Sequence, residues 1–359
     1  MTEDRGRFLD VWRRTFSLGW PVVAEHTLST LMRTVDVLVT GLFSPAAVAA
    51  VGLADLYGQI PLRVGLGLST GAITLSSQDT GRGAARTRNR AITQAFVLGA
   101  LSGLPFVLVG WWMGPLLIDV LGAESTVVRL GGRYLALVFA AAPMRIVGNV
   151  GAGSLQGIGD TTTPMYVNGA ANLLNIVLTL VLGLGLWVAP PLGIVGVGLG
   201  TAISRTVEAV AFAGAIFSAR TPIAFTWPRD FTVTRQLVSV SVPRVAEGMS
   251  KTLANFPFNG LILLFGTEAN AAYHIGRRIF QQISAPSYRA FGVVSNVLVG
   301  QTLGSETPGE ARFETRVLVW LAVIVLGGLG VVLFLVAEVA SGLFTDDPAT
   351  RNAAIVFTR

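Results

Sequence analysis

The chain contains no cysteine and only two histidines. Without cysteine it can form neither a disulfide nor a thiolate metal site. The histidines, His26 and His274, lie far apart and have no other ligands at metal-site spacing, so the sequence predicts no metal centre. Charged residues are scarce as well, at 13%, whereas hydrophobic residues make up 52% and the mean hydropathy is +0.64. A soluble domain of this length carries far more charge, so the composition excludes that class.

Long apolar runs dominate the chain. Runs of about 20 residues or more are long enough to cross a bilayer as α-helices. We predict spans at 16–43, 46–78, 91–118, 127–155, 164–188, 192–218, 237–265, 268–302 and 314–343, with a tenth span beginning near residue 350. The sequence therefore predicts an all-α polytopic membrane protein.

Arginines mark alternate loops between these spans. They lie before span one, between spans two and three, and between spans six and seven: Arg5, Arg7, Arg13, Arg14, Arg82, Arg86, Arg88, Arg90, Arg220, Arg229 and Arg235. The other loops are short, neutral or acidic. By the positive-inside rule we expect a multi-pass plasma-membrane protein with a cytoplasmic N-terminus. Because the arginines flank membrane spans at regular intervals, they indicate contact with the bilayer and not with nucleic acid.

The chain repeats itself at long range. The segment 17–25 returns as 239–247, with Pro21 matched by Pro243 and Glu25 by Glu247. Long repeats inside an apolar chain are typical of secondary transporters. Six spans per repeat return the chain to the same side of the membrane, so the repeats are predicted to be parallel. We therefore expect two six-helix lobes and the movement of a solute.

The repeat also predicts domain boundaries. We place an N-terminal six-helix lobe at 1–218, a cytoplasmic inter-lobe loop at 219–236 and a partial C-terminal lobe at 237–359. The partial lobe would hold three spans and the start of a fourth. We therefore expect the second lobe to be incomplete, either because the chain is a fragment or because the protein works with a partial lobe.

Polar residues recur on single faces of three predicted spans. Span one carries His26, Ser29, Arg33, Asp36 and Thr40 at intervals of three and four residues. Span five carries Asn168, Asn172, Asn175 and Thr179 in the same way, and span six offers Thr201, Ser204, Arg205 and Glu208. Three polar faces in one six-helix unit predict a wet cavity between its helices.

Asp36 stands out because a charge at bilayer depth costs about 2.5–3.5 kcal/mol on insertion scales. A carboxylate there can exchange a proton, or it can hold Na⁺ together with asparagine and threonine oxygens. The alternative is a permanent ion pair with Arg33, three residues earlier on the same face. Such a permanent pair would prevent Asp36 from exchanging a proton or binding Na⁺.

The second repeat does not duplicate this site, since Phe258 matches Asp36. Span seven instead has Glu247 and Lys251 at a spacing that favours an ion pair, structural or lining a cavity. Span eight presents Gln281 on a polar face. We expect a substrate cavity lined by His26, Arg33, Thr40, Asn168, Glu247 and Gln281.

Several motifs resemble the multidrug and toxic compound extrusion (MATE) family. They are the segment 156–164 (QGIGDTTTP) after span four, Val35-Asp36 with the following Gly41, the segment 266–272 (GTEANAA), Gly300-Gln301 with Gly304, and the segment 343–347 (LFTDD). The resemblance covers nearly the whole chain. It implies a twelve-helix exporter of two lobes forming a V, which expels organic, often cationic compounds in exchange for H⁺ or Na⁺.

The resemblance also implies roles for particular residues. Asp36 falls where family members place an essential carboxylate, and Asn175 and Thr201 fall at positions associated with a first-lobe cation site. Family members often carry an aspartate at the position of Thr179, so this chain departs from the pattern there. The expected ion-coupling set is Asp36, Asn172, Asn175, Thr179 and Thr201.

Other functions remain open at this level. Intramembrane arginines would suit the phosphate of a lipid-linked oligosaccharide, as in a flippase of related fold. A non-transporting fragment is a third reading. An enzyme is the weakest, because the sequence has no catalytic constellation and no nucleotide-binding loop. The expected partners are a small organic substrate and the bilayer, with no cofactor beyond the coupling ion, and the expected state is a monomer.

Overall fold

The computed structural model describes residues 2–187, 190–218, 221–227, 232–345 and 347–358. These residues form twelve α-helices, one π-helical segment and no strand. The helices are α1 (Thr2–Gly41), α2 (Pro45–Gly81), α3 (Ala85–Asp119), α4 (Ser125–Ala140), α5 (Ala142–Gly157), α6 (Thr162–Leu178), α7 (Ile194–Ile216), α8 (Thr232–Leu263), α9 (Thr267–Ile283), α10 (Ala285–Gly304), α11 (Pro308–Gly342) and α12 (Pro348–Thr358). The π-helical segment, Thr179–Gly183, continues α6.

Prolines and caps explain several helix boundaries. Ser44 has an extended backbone, and its hydroxyl accepts a hydrogen bond from the amide of Ala47 at the start of α2. Pro143 lies in the first turn of α5, where its missing N–H costs nothing, and α4 and α5 meet at a bend of 44°. Pro286 begins α10 in the same way. Predicted spans four and eight are therefore each two helices joined at a break.

The predicted spans otherwise agree with the helices, although not every helix is apolar. By length and composition alone, four described helices could cross a membrane, and five if the bent pair α4–α5 counts as one. They are Ala85–Asp119, Thr162–Gly183, Ile194–Ile216 and Pro308–Gly342. The helices that fail this test include α1, α2 and α8, which carry charged and amide side chains, and α9, which has 17 residues.

We call α1–α7 the first lobe and α8–α12 the second lobe. The core of the first lobe joins α2, α3, α4 and α7 through the buried side chains of Ile118, Tyr134, Leu135, Phe139 and Val197, which pack on α2. The two lobes meet mainly through α2, which packs against α8 and α10, and through α1, which packs against α10.

Close backbone contact marks the end of the molecule where α2 and α10 finish, which we call the closed end. A Cβ at Gly81 would collide with the backbone of Gln301, and a Cβ at Gly304 would collide with the backbone of Gln78. The Ser77 hydroxyl also donates to the carbonyl of Asn296 at 3.2 Å. Only glycine permits helices to cross so closely.

The opposite end of the molecule, where α2 begins and α8 finishes, we call the open end. Ser241 and Val245, in the first half of α8, face Gly67 and Gly71 of α2. The contact continues along α8 to Thr252, whose hydroxyl accepts from Arg63 Nε at 3.1 Å. The V-shaped arrangement of the lobes stays an implication of the resemblance.

The expectation of an incomplete second lobe is not borne out. The described residues form twelve α-helices, five of them after Ser218. The predicted loop 219–236 is shortened by α8, which begins at Thr232. Two of its arginines, Arg220 and Arg229, lie outside the described residues. The domain boundaries stay a prediction.

Candidate functional site

Helices α1 and α6 pack in parallel with one constant register. Three side-chain hydrogen bonds join them, and in each the two residues are 143 positions apart: Asn168 Nδ2 donates to Glu25 Oε1 at 2.8 Å, Asn172 Nδ2 to Ser29 Oγ at 3.0 Å, and Thr179 Oγ1 to Asp36 Oδ1 at 3.0 Å. A constant difference in residue number requires helices that run in the same direction. The polar faces predicted for spans one and five therefore face each other.

The bond between Asp36 and Thr179 lies where α6 changes to a π-helix. Thr179 is fully buried and is the first residue of the π-helical segment, a distortion that often occurs at functional sites. Its backbone packs against Gly200 of α7. Asp36 is only half-buried. The π-helical turn thus places a hydroxyl against a carboxylate that remains accessible from one side.

Asp36 and Arg33 do not form the ion pair that was the alternative to a coupling role. In the described part of the chain, neither residue belongs to an ion pair within 4.0 Å. Arg33 is within electrostatic range of Asp36, as well as of Asp55 and three other arginines. It therefore acts on Asp36 without a direct ion pair in this structure.

The amides of α6 connect this site to α7. Asn175 Nδ2 donates to the hydroxyls of Thr201 and Ser204, both at 3.2 Å. Asn175 Oδ1 is buried and has no hydrogen-bond partner among the described residues. Asn175 lies one turn before Thr179, so its free carbonyl oxygen shares the helix face that carries the Asp36 contact.

A second set of contacts holds Arg205, on the same helix as Thr201 and Ser204. Arg205 forms an ion pair with Glu208, and its other nitrogen reaches Asn172 Oδ1 at 3.5 Å. The predicted ion-coupling residues are thus linked across three helices, although only Thr179 contacts Asp36: Asn172 contacts Ser29 and Arg205, and Asn175 contacts Thr201. Their role in coupling stays a prediction.

The predicted cavity residues are less uniform. Asn168 is buried and bonded to Glu25, and the Thr40 hydroxyl is buried and donates to the backbone of Asp36 at 2.6 Å. His26 is half-buried near Arg33 and Arg289. Within the first lobe these residues therefore form one extended group along α1 and the face of α6 that meets it, in which His26 and Thr40 lie about 21 Å apart along the helix axis.

The two predicted cavity residues of the second lobe do not join that group. Glu247 is exposed and forms ion pairs with Lys251 at 2.6 Å and Arg244 at 2.9 Å, on a different face of α8 from the residues that contact α2. Gln281 is exposed, whereas the adjacent Gln282 reaches the Thr34 hydroxyl at 3.4 Å. The Glu247–Lys251 pair expected from spacing is confirmed, and its position favours the structural reading over the cavity reading.

Sequence reasoning missed two carboxylates of this region. Glu25 is buried, accepts from Asn168 and leaves Oε2 without a partner among the described residues. Asp55 of α2 interacts electrostatically with Arg145 and Arg33. Each carboxylate lies inside a predicted span, and that position alone was a signal of function.

Comparison with known proteins gives one consistent match. The family model described as MatE matches residues 21–181 and 243–359. A probable multidrug resistance protein NorM of Bradyrhizobium diazoefficiens is 28% identical over 97% of this chain and 76% of its own length. A protein of the same name from Thermotoga maritima is 25% identical over 94% of this chain and 73% of its own length.

Solved structures show the same fold. A multidrug resistance MATE family transporter of the MOP superfamily, in an outward-facing conformation, superposes with a TM-score of 0.89 at 21% identity, covering 96% of this chain and 77% of that one. A MOP superfamily transporter from Pyrococcus furiosus gives 0.87 at 20% identity, covering 95% and 76%. With a family model matching more than half of its residues, this chain belongs to the MatE family, whose members are membrane transporters and not enzymes.

Proposed function

We propose that this protein is an ion-coupled antiporter that exports small organic molecules, and that Asp36 binds the coupling ion. The observation that carries the proposal is the state of Asp36: a half-buried carboxylate within a membrane helix that accepts a hydrogen bond from a neutral hydroxyl and, among the described residues, forms no ion pair within 4.0 Å. A carboxylate in that position is costly unless it has a function. The names of the relatives, probable multidrug resistance proteins, support export as the direction of transport.

The coupling step follows from the contacts of Asp36. When the carboxylate takes up an ion, its acceptance of the Thr179 hydrogen bond changes, and that bond is one of three that fix α1 against α6. Helix α1 contains Pro21, which removes one backbone hydrogen bond and lets the helix bend. Because α1 also packs against α10, a bend in α1 is transmitted to the contact between the lobes.

Two ions fit this site by different means. A proton needs only the carboxylate of Asp36. Sodium is a hard cation and prefers several oxygen ligands, which here are the Asp36 carboxylate, the Thr179 hydroxyl and the unpartnered Asn175 Oδ1 on the same face of α6. The proposal therefore includes both H⁺ and Na⁺, and the ion is left to experiment.

The remaining expectations form part of the same proposal. We propose a plasma-membrane location, a cytoplasmic N-terminus and a monomer. With that orientation the closed end faces the cytoplasm and the open end faces outward. The expectation of a cationic substrate rests on the family resemblance alone.

A cellular efflux assay tests the proposal. Cells that express the protein are expected to accumulate less of at least one dye in a panel of cationic and anionic dyes. Asp36→Asn is expected to abolish the difference at equal membrane expression, whereas Asp10→Asn, an exposed position on the same helix, retains it. Undiminished efflux by Asp36→Asn would remove Asp36 from the mechanism.

A further inference from the structure

Glu25 is a buried carboxyl group that the proposed coupling step does not use. Its side chain lies on α1 and is only 8% exposed. Oε1 accepts a hydrogen bond from Asn168 Nδ2 of α6 at 2.8 Å, and Oε2 has no partner among the described residues. The described helices packed against α1 bring no lysine, arginine or histidine nitrogen within 4.0 Å of Glu25. The group bonded to this carboxyl is therefore a neutral amide.

The arginine beside the contact between α1 and α6 is held by another carboxylate. Arg205 of α7 forms an ion pair with Glu208, and its other terminal nitrogen reaches Asn172 Oδ1 at 3.5 Å. Glu208 Oε1 would lie 2.7 Å from a Cβ at Gly148, so the Glu208 side chain packs against α5 while it binds Arg205. The charged group of α7 that acts electrostatically on Glu25 is Glu208, which is itself acidic. These surroundings disfavour a negative charge on Glu25.

The internal repeat provides a direct comparison. Glu247 of α8 occupies the repeat position of Glu25. Its side chain is 45% exposed and contacts two cations, Arg244 at 2.9 Å and Lys251 at 2.6 Å. Glutamate at this repeat position is thus exposed and paired in the second lobe, whereas it is buried without a cation in the first.

The other buried glutamates of the described residues are paired as well. Glu208 and Glu314 are 5% and 3% exposed, and each forms an ion pair with an arginine, Glu208 with Arg205 and Glu314 with Arg14. Among the glutamates whose side chains the structure describes, burial and the lack of a cation therefore coincide at Glu25.

Burial without a cation is costly for a carboxylate and much less costly for a carboxylic acid. An isolated charge loses its hydration in the interior, so such a group takes up a proton and becomes neutral instead. With the proton on Oε2, Oε1 still accepts the hydrogen bond from Asn168. Sodium fits less well, because it prefers several oxygen ligands and Asn168 turns its amide nitrogen towards Glu25.

We propose that Glu25 binds a proton at the contact between α1 and α6, as a second ion site separate from Asp36, and releases it when that contact opens. Both residues lie on the face of α1 that meets α6, about 16.5 Å apart along the helix axis. Opening would break the bond from Asn168 and admit water, which favours the ionised form. Pro21, one turn before Glu25, lets α1 bend there. This inference rests on the proposed transport function and adds a second ion to the cycle.

Infrared spectroscopy tests for the bound proton directly. The carbonyl stretch of a carboxylic acid is separate from the bands of ionised carboxylates, so a buried acid gives its own band. We expect the purified protein in phosphatidylcholine nanodiscs to show an acid band at neutral pH that shifts when the glutamate carboxyl carbons are isotopically labelled. The absence of a glutamate acid band at neutral pH would overturn the proposal, and this measurement needs no variant.

Substitutions assign the band to a residue. Glu25→Gln keeps the shape of the protonated acid and still accepts from Asn168, and it is expected to remove the glutamate band. Glu247→Gln is the matched control at the same repeat position and should retain the band, as should Glu208→Gln. A glutamate band that persists in Glu25→Gln places the proton on another residue, and the proposal then fails.

Transport in proteoliposomes tests the release of the proton. Glu25→Gln has no proton to release and is expected to slow the flux driven by an ion gradient several-fold, whereas Glu25→Asp, which keeps an acid, loses less. Normal flux by Glu25→Gln would show that the proton stays bound throughout the cycle and would contradict a second ion site.

The same two measurements separate this site from Asp36. Asp36→Asn is expected to retain the glutamate band while it loses coupled transport. If Asp36→Asn instead transports normally while the Glu25 results hold, the coupling proposal for Asp36 fails and the proton site at Glu25 stands.

Discussion

Thr179 Oγ1 donates a hydrogen bond of 3.0 Å to Asp36 Oδ1, across the interface between α6 and α1. The family resemblance noted from the sequence implies an aspartate at the position of Thr179 in many members. In this chain a neutral donor replaces that second carboxylate, so Asp36 has no acidic neighbour at this contact with which to share an ion. The arrangement makes Asp36 the principal carboxylate of the predicted coupling site.

Removal of the Thr179 hydroxyl tests this relationship. Thr179→Val keeps the shape but leaves Asp36 without its donor, and an unsatisfied buried polar group costs about 1–3 kcal/mol. We expect a several-fold slower transport rate in proteoliposomes and nearly normal transport by Thr179→Ser. Thr206→Val is the control, since Thr206 is exposed and bonds only its own helix. A Thr179→Val protein with the normal rate would show that the hydrogen bond has no part in coupling.

The close crossing at the closed end predicts a strong effect of a single methyl group. In Gly81→Ala the new Cβ meets the backbone of Gln301, and overpacking of this kind costs about 1–3 kcal/mol. We expect a lower midpoint of thermal unfolding, measured in detergent by intrinsic fluorescence.

Gly292→Ala provides the matched control for this change. Gly292 lies within α10, and a Cβ there meets no other atom within 4 Å. Alanine also favours the helix, so the midpoint should stay the same or rise. Equal effects of the two substitutions would mean that the lobes do not touch at Gly81 in solution.

A disulfide across the closed end should stop the transport cycle. The chain has no cysteine, so Ser77→Cys with Gly300→Cys introduces one defined pair. Ser77 Cβ lies 3.0 Å from an ideal Cβ at Gly300, and a small shift reaches the usual disulfide separation. We expect oxidation to block transport in the double variant and reduction to restore it. Transport by the single-cysteine variants should be insensitive to oxidant. A double variant that forms the disulfide and still transports would show that the closed end does not need to open during the transport cycle.

Much of the fold could be predicted from the sequence because each predicted span is a long run of mainly apolar residues. Hydrophobic length located the predicted spans, two of which the structure divides into two helices each, and the three- and four-residue spacing of Asn168, Asn172 and Thr179 predicted the face that α6 turns to α1. The breaks at Pro143 and Pro286 were not predicted, since the apolar runs continue across them. Mean hydropathy depends only on the composition of a segment, so it does not indicate where a helix bends.

The candidate site was predicted only in part, because one sequence shows which residues share a helix face but not which helix lies opposite. Arg33 and Asp36 share a span, and spacing alone allowed them to pair; in the structure Asp36 instead accepts a hydrogen bond from Thr179. Glu247 occupies the repeat position of Glu25, so the sequence placed it at the same depth in its span. In the structure its ion pairs lie on an exposed face of α8.

Gradient-driven exchange in proteoliposomes tests the central claim, that Asp36 binds the coupling ion, most directly. Vesicles holding the protein are loaded with a substrate found in the dye panel, and its flux is followed after a pH gradient or a Na⁺ gradient is imposed separately. We predict that one of the two gradients accelerates the flux and that Asp36→Asn removes this acceleration while substrate binding persists. An Asp36→Asn protein whose flux still responds to the gradient as the unaltered protein does would contradict the account.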